Sequence, residues 1–279
     1  MKQTIPALLL ALLLAAPACR ADAALDAETV ADQKVVLTFL NNLKMDNAIY
    51  MGVHKIEFFA ALAKGQTPKV TLVTCADSRV QTPMFDRTPE GELFTIRNIG
   101  NQLATSEGSV EYGVHHLHTP LLIFLGHSRC GAIAAFSGNY SKESPAIKRE
   151  LDSISISKEL NNIEGVQANV NQQVKAAMLK FADEIGAGRL VVIGAVMDFA
   201  DDLHQGAGKL HLINVNGETD PAKLENLTTL LDKPAAQPAA KAQHKAAAPK
   251  TKPETAPKTE TAPKQAESAK PAAPRPPNH

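Results

Sequence analysis

The 279-residue chain has no tryptophan, and only three tyrosines and nine phenylalanines. So little aromatic surface argues against a site that works by stacking sugars or bases. The formal net charge is zero, so nothing in the charge balance calls for nucleic acid or an acidic partner. The longest apolar run, Ile5 to Ala16, is too short to span a bilayer as a mature helix. Cysteine is scarce as well: there are three, too few for a disulfide framework. What is present is ordinary apolar content and enough length to bury one sizeable core with extras at both ends.

The extras are legible from composition. Residues 1–23 read as a secretory signal, with Lys2 as the positive start, the apolar run, and small-x-small cleavage sites at Ala16-Pro17-Ala18 and Ala21-Asp22-Ala23. The expected location is therefore periplasmic or secreted. Cys19 offers a second route, a lipid-anchored N-terminus, although Ala16 and Pro17 occupy the positions where a lipobox ordinarily carries leucine. Residues 24–232 carry the globular pattern. Residues 233–279 turn to Pro, Ala and Lys, with Ala-Pro-Lys recurring at Ala248, Ala256 and Ala262. Such a segment cannot bury enough apolar surface to offset ordering, so a disordered tail is expected. Its basic excess makes weak tethering to anionic envelope material one reading and a solubilising tail the other.

Within the globular part, Val70 to Thr74 is a short β-branched run that reads as a buried parallel strand. It ends at Cys75, Asp77 and Arg79, and ligands of open α/β sheets sit outside the carboxyl ends of strands. Taken alone, this stretch reads equally as a core cysteine before a solvated loop. Leu121 to Gly126 is a second such strand, followed by His127-Ser128-Arg129-Cys130-Gly131. His127 and Cys130, three apart, can face one ion from a loop or first helical turn. Thiolate and imidazole together select zinc by softness, and three protein ligands leave a fourth position open, as catalytic zinc sites do.

The remaining pattern completes an α/β alternation. Two amphipathic helices precede the first strand, one with a stripe at Val35, Val36, Phe39, Leu40 and Leu43, the other with Val53, Ile56, Phe59, Ala60 and Leu62. Taken alone, they read as ordinary helices covering their own sheet. Leu93 to Ile96 reads as a strand, and Ala104 to His118 as a helix that Thr105 or Ser106 can cap. Histidines 115, 116 and 118 read as a solvated face. Two or three helices span Ile147 to Ile185. Leu190 to Val196 is a further core strand, Leu210 to Val215 an edge strand, and Pro221 to Leu231 a closing helix with proline in its first turn.

C-x-D-x-R from Cys75 to Arg79, followed some fifty residues later by H-x-x-C at His127 to Cys130, resembles the β-class carbonic anhydrases. Gly65-Gln66-Thr67-Pro68, Phe94 to Asn101, Ser109 to Leu117, and Gly194 to Asp198 resemble further signatures of that family. The resemblance covers roughly Lys34 to Leu231. It implies an α/β fold with a mostly parallel central β-sheet flanked by helices, plus N-terminal helices. It also implies a homo-oligomer, dimer or higher, in which the N-terminal helices pack across a partner subunit.

The same resemblance implies reversible hydration of carbon dioxide to bicarbonate and a proton through zinc-bound hydroxide. One Zn2+ per subunit is implied on Cys75, His127 and Cys130. Asp77 and Arg79 are the implied catalytic dyad, with Asp77 a fourth ligand in an inactive state. Gln66 is the implied substrate donor, and Gly131 lets backbone approach the site. Two thiolates donate more charge than histidines do, so the bound water should be less acidic than the pKa of about 7 of a histidine-only zinc site. A regulatory bicarbonate pocket found in part of the family is not expected, because Leu72 and Met197 stand where it needs Trp and Tyr, and only Arg97 of it remains. The competing readings are a non-catalytic zinc module that binds an anion or partner, and a hydrolase of a CO2-like molecule such as carbonyl sulfide.

Overall fold

The computed structural model describes residues 18–227, and side chains from Asp32 on. Residues 1–17 of the signal-like segment, Cys19's side chain and everything from residue 228, the tail included, lie outside what is described. Five strands form one sheet: β1 (Val70–Cys75), β2 (Leu93–Asn98), β3 (Leu121–His127), β4 (Val191–Asp198) and β5 (Lys209–Val215), in the order β2-β1-β3-β4-β5. The first four are parallel and β5 runs antiparallel along one edge. The strands expected at Val70, Leu93, Leu121, Leu190 and Leu210 are all found. β1 is buried from Thr71 to Cys75, which is why its sequence does not alternate.

The strand order places the chemistry. From β1 the chain moves outward to β2, returns to β3 on the other side of β1, and then proceeds to β4. The order therefore reverses between β1 and β3. Their carboxyl ends flank the crevice where open α/β sheets bind ligands.

Eight helices complete the described part: α1 (Ala18–Val53), α2 (Ile56–Leu62), α3 (Glu107–Glu111), α4 (Gly131–Ser137), α5 (Pro145–Asp152), α6 (Asn162–Lys180), α7 (Ala182–Gly186) and α8 (Pro221–Leu224). α6 lies across β3 and β4. A Cβ on Gly126 would stand 2.7 Å from Val170, and one on Gly194 would meet Val170 at the same distance. These two glycines let the helix settle directly on the strands. Asn161 and Glu164 start α6 with a reciprocal capping box.

Two expectations change, and one runs beyond the described residues. The helix from Ala104 to His118 is shorter, α3 followed by one wide π-turn over Tyr112–His116, closed by Leu117 N–H to Tyr112 O. There Gly113 lies against Thr71, where a Cβ would be 2.1 Å from the threonine hydroxyl. Neither expected cap acts: the Ser106 hydroxyl donates to Gln102 O, and Thr105 Oγ1 accepts from Asn98. The α1 stripe does not cover its own sheet: Val35 is 68% exposed and Phe39 65%. The closing helix is described only at Pro221–Leu224, and its expected end at Leu231 lies outside the described residues.

Candidate metal centre

β1 delivers Cys75 and β3 delivers His127, each as its last residue. The chain then turns through Arg129, whose φ of 55° is left-handed, and returns Cys130 just before α4. Cys75, His127 and Cys130 each offer one donor atom within 4.8 Å of the others, and all three residues are buried. They are the group that the spacing predicted, assembled at the switch point. No other cluster of three such donors occurs among the described residues. The three histidines at 115, 116 and 118 do not form one. They are exposed, with His115 3.2 Å from Glu184 and His116 against the Tyr112 ring.

The His127 ring fixes how the centre can be used. Nδ1 is 3.0 Å from the Ser128 carbonyl, which only an N–H can satisfy. Nε2 then carries the lone pair, and it is buried with no hydrogen-bond partner. A ligating histidine in metal sites is oriented in this way, with the remote nitrogen tied to a carbonyl.

The thiols agree. A hydrogen bond from Cys130, with help from the backbone N–H groups of Gly100 and Asp77, outweighs burial and lowers the Cys75 thiol. Its hydrogen bond to Cys75, then burial, pushes Cys130 up. Ionising one thiol thus opposes ionising the other, and two thiolates side by side require a positive ion between them. Two soft sulfurs and one free imidazole nitrogen fit zinc.

Asp77 and Arg79 do not continue the strand on one face. β1 stops at Cys75, and a turn closed by Val80 N–H to Asp77 O folds the two together. Arg79 donates from Nε to Asp77 Oδ1 at 2.9 Å and from Nη2 to Oδ2 at 2.7 Å. This paired donation holds the Asp77 carboxyl well below the usual carboxylate range. Asp77 Oδ2 is 3.8 Å from His127 Nε2, so the carboxylate borders the donor cluster. Arg79 also donates to Arg129 O at 3.1 Å, tying the two loops together, and its guanidinium lies 5.5 Å from the Phe199 ring centre.

Two predicted residues behave differently. β1 runs from Val70 toward Cys75, so Gln66 joins the sheet from the end opposite the cluster. It is exposed and makes no hydrogen bond to the cluster. Gly131 begins α4, and a Cβ there would meet nothing within 4 Å; packing within the chain does not require glycine at this position.

Other residues escaped the sequence reading. Arg97, noted only for a regulatory pocket, instead donates to the carbonyls of Cys75, Asp77 and Val80 and so braces the Cys75–Val80 turn. Asp198 is buried and accepts from the N–H groups of Ala200 and Leu203. Burial pushes its carboxyl up, but those bonds and the Ser128 hydroxyl outweigh it and leave it lowered. A surface cavity of about 490 Å³ beside Leu103, Glu107 and Lys180 contains none of the cluster.

A parallel sheet with two thiols and an oriented imidazole at its switch point defines an α/β protein with a soft three-donor metal centre. The carbonic anhydrase family model matches residues 70–209, half of the chain. The chain is 28% identical to "Carbonic anhydrase 2" of Mycobacterium tuberculosis over 162 residues, covering 52% of this chain and 77% of that protein. It is 36% identical to a carbonic anhydrase of Synechococcus elongatus over 101 residues, covering 34% and 37%. Among solved structures, a tetrameric β-carbonic anhydrase of Sordaria macrospora superposes with a TM-score of 0.53 at 26% identity, covering 63% of this chain and 97% of that one. The chain belongs to the β-class carbonic anhydrases, and hydration of carbon dioxide is the activity that membership assigns.

Proposed function

We propose that Cys75, His127 and Cys130 hold one zinc ion per chain and that carbon dioxide is hydrated at its open position. The observation that carries this is His127 Nε2: buried, stripped of its proton by the Nδ1 bond to Ser128, without a partner, and facing two sulfurs. Zinc held there would acidify a bound water and so supply the attacking oxygen at ordinary pH. The chain's own residues do the rest. Asp77, kept ionised by Arg79, is an acceptor that can take a hydrogen bond from the attacking water and aim its lone pair at carbon dioxide. Arg79 holds Asp77 off the metal position. Released from Arg79, Asp77 is close enough to become the fourth ligand and shut the site. Phe199, against both the His127 ring and Arg79, offers an apolar wall suited to a non-polar gas.

The working form is read as a homo-oligomer. The tetrameric relative and the exposed α1 stripe both support this. It also gives Gln66 a way to act. β1 is roughly 17 Å long at about 3.3 Å per residue, so Gln66 reaches a site only if a second chain brings it there. Export to the periplasm or beyond is supported by the signal-like residues 1–23, and the basic tail by its composition alone; N-terminal sequencing that found Met1 on cytoplasmic protein would refute export. One assay separates the readings of the centre. Purified protein offered carbon dioxide and, separately, carbonyl sulfide should hydrate the first by stopped flow and hydrolyse little of the second. The opposite preference would assign the hydrolase, and zinc-replete protein inert to both would assign the non-catalytic module.

A further inference from the structure

The face of α6 turned toward the centre carries amides where an apolar stripe would serve packing as well. Asn162, Asn169 and Gln173 stand at i, i+7 and i+11, within about 40° of one another at 100° per residue. Asn162 contacts the segment that bears Cys130, and Asn169 and Gln173 contact the loop that follows β2. Asn162, the first residue of α6, clasps the Cys130 backbone from both sides: its Oδ1 accepts from Cys130 N–H at 3.1 Å, and its Nδ2 donates to Cys130 O at 3.0 Å. Two turns on, Asn169 Nδ2 donates to Gly100 O at 3.0 Å, and Gln102 Nε2 donates to the same oxygen at 2.6 Å. Gln173 closes the group by accepting from Leu103 N–H and donating to Gln102 and Asn169. Asn169, Gln102 and Gln173 are all buried, where each unpaired polar atom is costly. One 19-residue helix, pressed onto Gly126 and Gly194, therefore grips the Cys130 backbone at its first residue and the loop after β2 two turns on.

We propose that the start of α6 is the back-stop of the metal centre, and that Asn162 is a positioning residue that fixes Cys130 for zinc. The proposal rests on the zinc reading above. A Cys130 held in this way should show as slow metal release and a single ligand geometry, because partners behind metal ligands typically tune affinity by about 10–100-fold.

The test compares the full-length protein with Asn162→Ala, Asn169→Ala and a control, Val192→Ala, which loosens the core on β4 among residues that do not pack with the cysteines. Zinc release to a chelator is timed, the visible spectrum of the cobalt-substituted protein is recorded, and thermal melts give each variant's stability. Asn162 is half-buried at a helix end, so its variant folds even where Asn169→Ala does not. Asn162→Ala should release zinc at least about tenfold faster and shift the thiolate-to-cobalt bands, while Val192→Ala melts lower yet keeps the wild-type rate and spectrum. Wild-type release from Asn162→Ala overturns the proposal. So does equal acceleration in Val192→Ala, which would make the Asn162 contact a matter of general stability. Wild-type protein that takes up no zinc overturns the metal reading itself, and is seen before any variant is made.

Discussion

At the scale of single residues, the account turns on which atoms are already occupied. Arg79 engages both oxygens of Asp77 in a planar fork, a geometry that lysine cannot copy. Arg79→Ala and Arg79→Lys should therefore both lose activity by about tenfold or more, equivalent to about 1.4 kcal/mol of barrier, while zinc content stays at wild type. Full activity in either variant would remove the clamp. The pH dependence has a definite sign. Arg79 lowers the folded-state pKa of Asp77, so the pair's contribution to stability is complete above the unfolded value of about 3.9. It is lost as pH falls through the lower folded value. Arg79 is half exposed, so that contribution is small, about 0.2–1 kcal/mol. Melting curves of wild type and Arg79→Ala should differ by a constant small amount from pH 8 to 5 and converge only in stronger acid. Activity lost between pH 8 and 6 then does not come from protonating Asp77, and convergence near pH 6 would say otherwise. The donors themselves were legible in the sequence, since each ends a strand or follows it at short spacing. The brace from Arg97 was not, because a guanidinium that spends itself on three carbonyls leaves no mark in the sequence of the loop it holds.

At the scale of elements, the close seat of α6 on β3 and β4 keeps the parts in register. Gly194→Ala would put a methyl 2.7 Å from Val170 and 3.1 Å from both Val174 and Asn214. Overpacking of that kind costs about 1–3 kcal/mol, and a denaturant melt should show it as a lower midpoint with an unchanged slope. Wild-type stability would mean the helix can back away freely. The strands and α6 were readable from runs of β-branched residues and from helical spacing. The order β2-β1-β3-β4-β5 was not, because the pattern of alternation is the same whichever side of β1 the chain returns to. Nor was the shortened helix at Ala104 to His118: what widens it is Gly113 meeting Thr71, a contact across 42 residues. The stripe at 162, 169 and 173 had the helical period in plain view, yet amides at that spacing look like a solvated face until the Gly100 and Cys130 backbones are placed against them.

At the scale of the whole molecule, α1 is the part that a single chain does not explain. Val35, Phe39 and Leu43 are each more than half exposed, and a continuous apolar face of that kind is ordinarily covered. Phe39→Glu with Leu43→Glu should shift the protein to a smaller species in light scattering at equal concentration; an unchanged mass would leave the stripe without a partner in solution. Its spacing was evident in the sequence, but spacing alone does not distinguish a chain's own sheet from a neighbour's surface. The central claim, that the donors at the β1–β3 crevice hold the zinc at which carbon dioxide is hydrated, is tested most directly by titration. Protein stripped of metal is supplied with zinc in steps, and the hydration rate is read by stopped flow at each step. The account predicts a rate that rises from the uncatalysed background in proportion to zinc and levels off at one ion per chain, with no rise in Cys130→Ser. Hydration that is fast before zinc is added, or that persists in Cys130→Ser, would contradict it.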